Sequence, residues 1–532
     1  MPTWDAIVVG GGHNGLVTAA YLARAGERVL VLEARDRVGG ACVTEETWPG
    51  FKVSTAAYVV SLFRPEIVRD LELGRHGYVV LQRDPSSFTP FPDGRSLVMG
   101  PDREATRREV ARFSAHDAEA LPRYEAMLER VAAAVEPTLL ETPPDPFSRR
   151  PRDLLALARL GLRFLRLGKD GPAALEVLTG AARPVLDRWF ESDEVKATLA
   201  TDAIIGAWAS PEVPGTAYVL FHHVMGETHG VRGVWGYVRG GMGALSEAIA
   251  AAARAAGAEI RTGAPVARIL VEDGAARGVV LADGTELRAR RVASSADATR
   301  TLLGLVGPQH LPPEVAAAAA RIDHQSGSVK INVALDRLPD FTARPGTPGP
   351  WHRGTIHVAP SMGYLERAFD DARAGRPSRE PVLECTLPSA VDPTVAPAGK
   401  HLMSLFVQYA PFRLSEGSWE TERDRFADRC FEVLERYAPG FTASVIAREV
   451  LAPPDLERRF GLTGGNIFQG AMTLPQLFFM RPLPGYARYR MPVRDLYLCG
   501  AATHPGGGVM GACGRNAARE ILRDRRRGWP RG

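Results

Sequence analysis

Residues 10–15, Gly-Gly-Gly-His-Asn-Gly, constrain the fold of this chain more than any other feature. They satisfy the pattern G-x-G-x-x-G. Ahead of them, residues 5–9 are a short apolar run that reads as a buried parallel strand. Behind them, residues 16–25 keep helical spacing and stop at Gly26, a C-cap residue. Residues 28–32 form a second apolar strand, with Glu33 at its end. Strand, glycine turn, helix, strand and terminal acid together make a βαβ dinucleotide-binding unit. Gly10 makes the tight turn, Gly12 lets the backbone approach a diphosphate, and Gly15 allows close packing of helix on strand. His13 and Asn14 lie in the turn ahead of the helix and read as cofactor contacts; the helix's free N–H groups and positive dipole end face the phosphates. Glu33 is placed to accept hydrogen bonds from a ribose.

Two distant segments continue the pattern. Residues 240–245 lead into an Ala-rich helix that breaks at Gly257, and residues 258–261 read as a strand. Runs at 266–271 and 278–281, with Asp-Gly turns at 273–274 and 283–284, carry hairpin signals. Residues 292–297 then return toward the core. At the carboxyl end, a strand over 495–500 enters a loop holding Gly506, Gly507 and Gly508, and a helix follows over 513–525. Adjacent glycines ahead of a helix suit close approach of backbone to a flat ligand.

Residues 33–40, Glu-Ala-Arg-Asp-Arg-Val-Gly-Gly, resemble the extension after the second strand of amine oxidases and carotenoid desaturases. Segments 10–17, 41–46, 220–226, 233–237 and 503–512 extend the likeness over nearly the whole chain. It resembles the phytoene desaturase-like branch of the carotenoid and retinoid oxidoreductases; β-carotene ketolase-like proteins share the 503–507 run. The resemblance implies FAD as cofactor. It implies that Glu33, Ala34, Arg35, Gly39, Gly40 and Ala41 contact the nucleotide. Val266 would hold the adenine side through its backbone, and Gly500, Ala501, Gly508, Val509 and Met510 would lie by the ring. The expected fold is α/β. A discontinuous Rossmann-like FAD lobe of the glutathione reductase/amine oxidase type takes 1–75, 238–305 and 485–532. A substrate lobe of mixed sheet and helices takes 76–237 and 306–484.

Candidate catalytic groups are few. Lys330 sits in an alternating strand, where a lysine usually points outward. Amine oxidases carry a lysine in a similar strand, which holds a water near flavin N5, so the resemblance gives Lys330 a place beside the flavin. His504 lies in the loop expected at the ring, where it tunes the flavin, acts as acid or base, or anchors the loop. His222 and His223 are adjacent and point in different directions, so they are poor joint metal ligands. No H-E-x-x-H or similar cluster occurs, and no metal is expected. The five cysteines include no C-x-x-C pair, and Cys42 stands alone after the Gly39-Gly40 turn. A flavin–dithiol relay needs two thiols in contact, so Cys42 reads as a packed small residue.

The formal net charge of +4 is too small to argue for nucleic acid. The odd cysteine count fits a reducing, cytoplasmic setting, and residues 1–12 run straight into a strand, leaving no room for a signal peptide. No apolar run is long enough for a transmembrane helix. Residues 152–167 form a basic amphipathic stretch, with Arg152, Arg159, Arg163 and Arg166 on one helical face. That is the pattern of a peripheral membrane helix or of a surface helix packed on its own domain. No motif sets the number of subunits. The sequence thus predicts an FAD-dependent desaturase or dehydrogenase acting on a hydrophobic, carotenoid- or lipid-like substrate. A hydride would pass to flavin N5, and oxygen or a quinone would be the final acceptor. Two other readings stay open: a flavin amine oxidase, with a pair of aromatic rings flanking the flavin face, and a low-turnover flavoprotein scaffold that regulates a partner.

Overall fold

The computed structural model describes residues 4–228, 230–527 and 529. The outer ends of the expected FAD segments, 1–3, 528 and 530–532, lie outside the described residues.

A parallel five-stranded sheet carries the amino-terminal motif. Its order is Glu259–Arg261, Val29–Leu32, Ala6–Val9, Val292–Ser294 and Leu496–Leu498, drawn from three separate stretches of chain. Its interior strands Val29–Leu32 and Ala6–Val9 are buried throughout, which explains their unbroken apolar runs. Ala6 and Val8 face the helices His13–Arg24, Gly243–Ala255 and Ala512–Arg527. Ile7 and Val9 face the opposite layer, where Val266–Glu272, Ala275–Leu281 and Glu286–Arg288 form an antiparallel sheet. The sequence located the first helix by its apolar spacing, which begins at Leu16. The helix in fact opens at His13, with Gly12 as an N-cap that has no side chain to satisfy the first turn.

A second sheet of seven strands forms the other lobe. Its order is Val445–Leu451, Ser328–Leu335, His401–Gln408, Val382–Thr386, Thr355–Val358, Ser87–Pro90 and Ser96–Met99. One face packs Ile331, Ile356, Cys385 and Leu405 with Phe426, Cys430 and Leu434 of the helix Trp419–Tyr437. The helices Ala115–Leu139, Asp193–Ile204 and Thr216–Val224 pack together in a separate apolar core beside the sheet. Ser328–Leu335 has a strand on each side and is buried along its whole length. Lys330 therefore has no route outward and is 2% exposed.

The basic amphipathic stretch forms the helix Pro151–Leu165. Phe164 and the nearby Leu167 pack on the helical core, but Leu154, Leu155, Leu162 and Leu165 are exposed, Leu165 to 78%. Among the described residues, no helix is long and apolar enough to cross a membrane.

Candidate active site

A cavity of about 760 Å³ runs from the glycine turn of the parallel sheet to the seven-stranded sheet. Gly10, Gly12, His13 and Asn14 line it at one end, followed by Glu33, Ala34 and Arg35, and then by Gly39, Gly40 and Ala41. Val266 lines it from the antiparallel hairpin, and Gly500, Ala501, Gly508 and Val509 from the tail loop. Gly15 and Met510 lie behind this lining. A Cβ on Gly15 would fall 2.2 Å from the Gly10 carbonyl oxygen, and Met510 packs on Leu62 and Ala512.

The turn fits a dinucleotide diphosphate. Gly10 has φ +92°, which only glycine adopts at low cost. A Cβ on Gly12 would meet nothing closer than the Gly39 carbonyl oxygen at 4.0 Å, so it would project into the space a phosphate needs. The uncapped first turn leaves N–H groups free for an anion. His13 Nε2 is buried without a hydrogen-bond partner, and burial holds this imidazole down to about 4, in its neutral form. Glu33 braces the turn: Gly11 N–H donates to Oε2 at 2.7 Å, and Arg35 N–H donates to Oε1 at 2.9 Å.

The tail loop is clamped from the second lobe. His222 Nε2 donates to the Gly507 carbonyl at 3.0 Å. Arg481, fully buried, donates to the Ala501 carbonyl at 2.9 Å and to the Phe468 carbonyl at 2.6 Å. His504 departs from its expected place at the ring. It is outside the cavity lining, and its Nε2 donates to the Thr138 carbonyl at 2.9 Å. Burial holds it down to about 4. Of the roles read from the sequence, the geometry matches loop anchor and gives the ring no access for acid–base work.

The cavity's far wall is a buried polar face. Strand register places His357, Glu384, Phe406 and Lys330 in one row across four strands, and all four line the cavity. Thr386, Ser404 and Asn332 sit two residues along from Glu384, Phe406 and Lys330, on the same face. Lys330 Nζ donates to Asn332 Oδ1 at 2.6 Å and to Ser404 Oγ, and lies 5.1 Å from the Tyr58 ring centre. Burial lowers its pKa to about 7, against the pull of Glu449.

Groups from outside the sheet complete this chamber. Tyr58 Oη donates to Glu384 Oε1 at 2.6 Å, Arg83 Nη1 donates to Thr355 Oγ1, and Thr201 Oγ1 lies 3.2 Å from His357 Nδ1. Asp202 and His223 also line it. Burial pushes Asp202 up to about 6, raises Glu384, and lowers His357 to about 3. Sequence reasoning missed Tyr58, Arg83, Asp202, His357, Glu384 and Arg481. The one available signal was apolar–polar alternation in strands such as 328–335 and 382–386, a pattern that ordinarily marks a solvent-facing side.

Comparison with known proteins agrees with this geometry. Residues 15–522 match the family described as flavin containing amine oxidoreductase, and the chain belongs to that family. It is an FAD-dependent oxidoreductase. The pyridine nucleotide-disulfide oxidoreductase domain-containing protein 2 of Mus musculus is 49% identical, over 98% of this chain and 94% of its own length. Phytoene dehydrogenase of Streptomyces griseus is 29% identical, over 96% of this chain and 92% of its own, in keeping with the resemblance read from the motifs. Cyclohexylamine oxidase from Brevibacterium oxydans shares the fold, with a TM-score of 0.57 at 18% identity over 99% of this chain and 100% of that one.

The word disulfide in the mouse relative's name finds no counterpart in the cysteines. All five are free and buried. Cys42 Sγ donates to the Met242 carbonyl, and burial pushes the thiol up to about 12, the reverse of what a redox thiolate needs.

Proposed function

We propose that this chain oxidises a C–C or C–X single bond in a lipid-like small molecule and passes the electrons to oxygen or a quinone. One observation carries the reading: a single cavity joins the glycine turn at Gly10 to the wall holding Lys330. FAD bound there supplies the acceptor, at N5, for a hydride from the substrate. In this assignment Gly10, Gly12, His13 and Asn14 receive the diphosphate, and Glu33 and Arg35 the ribose. Val266 borders the adenine side, and the tail loop borders the ring. Lys330 Nζ, with a pKa near 7, takes up a proton beside the reacting bond. Met99, Leu121, Leu128 and Leu199 in the lining suit an apolar substrate body.

An amine oxidase with an open pair of rings is less well supported. Tyr58 and Phe406 pack against each other at 5.9 Å and 27°, and the Tyr58 hydroxyl is engaged by Glu384.

The apolar face of Pro151–Leu165 fits peripheral contact with an anionic membrane. Its exposed leucines lie beside the exposed Arg152, Arg159 and Arg166. Flotation with phosphatidylglycerol vesicles, lost in a Leu154→Ser/Leu165→Ser variant, is the expected result. Equal flotation of wild type and variant would remove the contact.

The catalytic test is anaerobic mixing of the FAD-loaded protein with unsaturated and saturated lipids and with alkylamines, while the visible flavin band is followed. Bleaching by lipids supports the reading. Bleaching by amines alone establishes the amine oxidase, and none by either class leaves the regulatory scaffold.

A further inference from the structure

We propose that the substrate carries a carboxylate and that Arg83 binds it. This rests on the oxidoreductase reading above and narrows its substrate class to amphiphilic acids.

Arg83 is 3% exposed and lines the cavity. Its Nε donates to the Trp235 carbonyl at 3.4 Å, and its Nη1 donates to Thr355 Oγ1. The Tyr237 ring lies 5.6 Å from the guanidinium carbon. Among the described residues, Nη2 has no hydrogen-bond partner and no carboxylate oxygen lies within ion-pair reach of this group. Arginine does not shed its proton in proteins, and a buried unpaired cation is costly.

The chamber's own acids, Asp202 and Glu384, make no ion pair with it. Burial pushes Asp202 up to about 6 and raises Glu384, while the charge of Arg83 pulls both back down from a distance. Glu384 is already held by Tyr58. Burial keeps His223 and His357 neutral, and Lys330 adds a second, partial cation. Neither acid pairs with the guanidinium, so an anionic partner for its free edge has to come with the ligand. A free guanidinium edge matches a planar carboxylate in a way that it matches neither an alcohol nor an amine. The apolar lining at Leu121, Leu128 and Leu199 would cover the rest of such a molecule.

The test titrates the FAD-loaded protein with decanoate, decanol and decylamine by calorimetry, with the flavin spectrum followed in parallel. The expected result is that decanoate binds and perturbs the flavin, that the other two bind at least about tenfold more weakly, and that Arg83→Met removes this preference. Wild-type selectivity decides the matter by itself, so a poorly folding variant does not block the answer. Decanol or decylamine binding as tightly as decanoate would overturn the proposal, as would decanoate binding unchanged in a folded Arg83→Met protein. A protein that ignores decanoate yet is bleached by an uncharged lipid overturns the acid class and keeps the oxidoreductase reading. A protein that takes up no FAD overturns that reading first.

Discussion

Tyr58 Oη donates a 2.6 Å hydrogen bond to Glu384 Oε1, across 326 residues of sequence. The bond ties the chain leaving the parallel sheet to the middle of the seven-stranded sheet, inside the cavity. Burial raises the Glu384 pKa and the Tyr58 bond opposes that rise. A carboxyl raised in the folded state costs stability as pH climbs through and above its unfolded value. Tyr58→Phe enlarges that cost. Its deficit against wild type should widen from pH 4 to pH 7, reaching about 1–3 kcal/mol. Urea unfolding at both pH values checks it, and a pH-independent deficit would not fit.

Gly12 and Gly15 share a motif but should fail in different ways. Gly12 has φ −68° and open space where a Cβ would go, so Gly12→Ala should fold with an unchanged apo melting temperature and hold no flavin. A Cβ on Gly15 would strike the Gly10 carbonyl at 2.2 Å, so Gly15→Ala should lose roughly 1–3 kcal/mol of stability before any ligand is added. Melting curves of the two apo-proteins separate these outcomes.

Lys330 has a folded pKa lowered to about 7. Between about pH 7 and the ordinary lysine value near 10.4, the unfolded chain binds the extra proton, so wild-type stability rises with pH across that window. Below pH 7 the burial penalty is fully present. Lys330→Met lacks this dependence. Its stability relative to wild type should improve by a few kcal/mol as pH falls from about 10 to 7 and then level off. In turnover, wild type should gain activity as pH rises through about 7, and the variant should lose that limb.

Three histidines meet the tail-loop region, the half-buried His13 and the buried His222 and His504, held down to about 4, 3 and 4. A histidine with a depressed folded pKa contributes stability that is complete above about pH 6.5 and is lost as pH falls toward the folded value. Each protonation lowers stability by about 1.4 kcal/mol per pH unit in that window. Flavin should therefore be released between pH 6.5 and 4, and His504→Asn should shift the release to lower pH. Flavin fluorescence during acid titration reads this directly.

The glycine-turn end of the cavity was legible because its features are backbone features. Glycines at 10, 12 and 15 and the acid at 33 are set by local turn geometry, which sequence spacing encodes. The substrate half was not, because Arg83, Asp202, His357 and Glu384 converge only through strand register and helix packing. Lys330 shows the limit. Its strand alternates like a solvent-facing one, and only the strands and groups around it reveal that the polar side is buried. His504 shows the converse, since a correct loop assignment did not give the ring's direction; the Thr138 carbonyl sets it.

The most direct measurement is the amount of FAD released per chain when reconstituted, gel-filtered protein is denatured. The expected values are one per chain for wild type and none for Gly12→Ala. A wild-type protein that stays flavin-free after incubation with excess FAD, or a Gly12→Ala protein that retains a full complement, would contradict the placement of the cofactor across this turn.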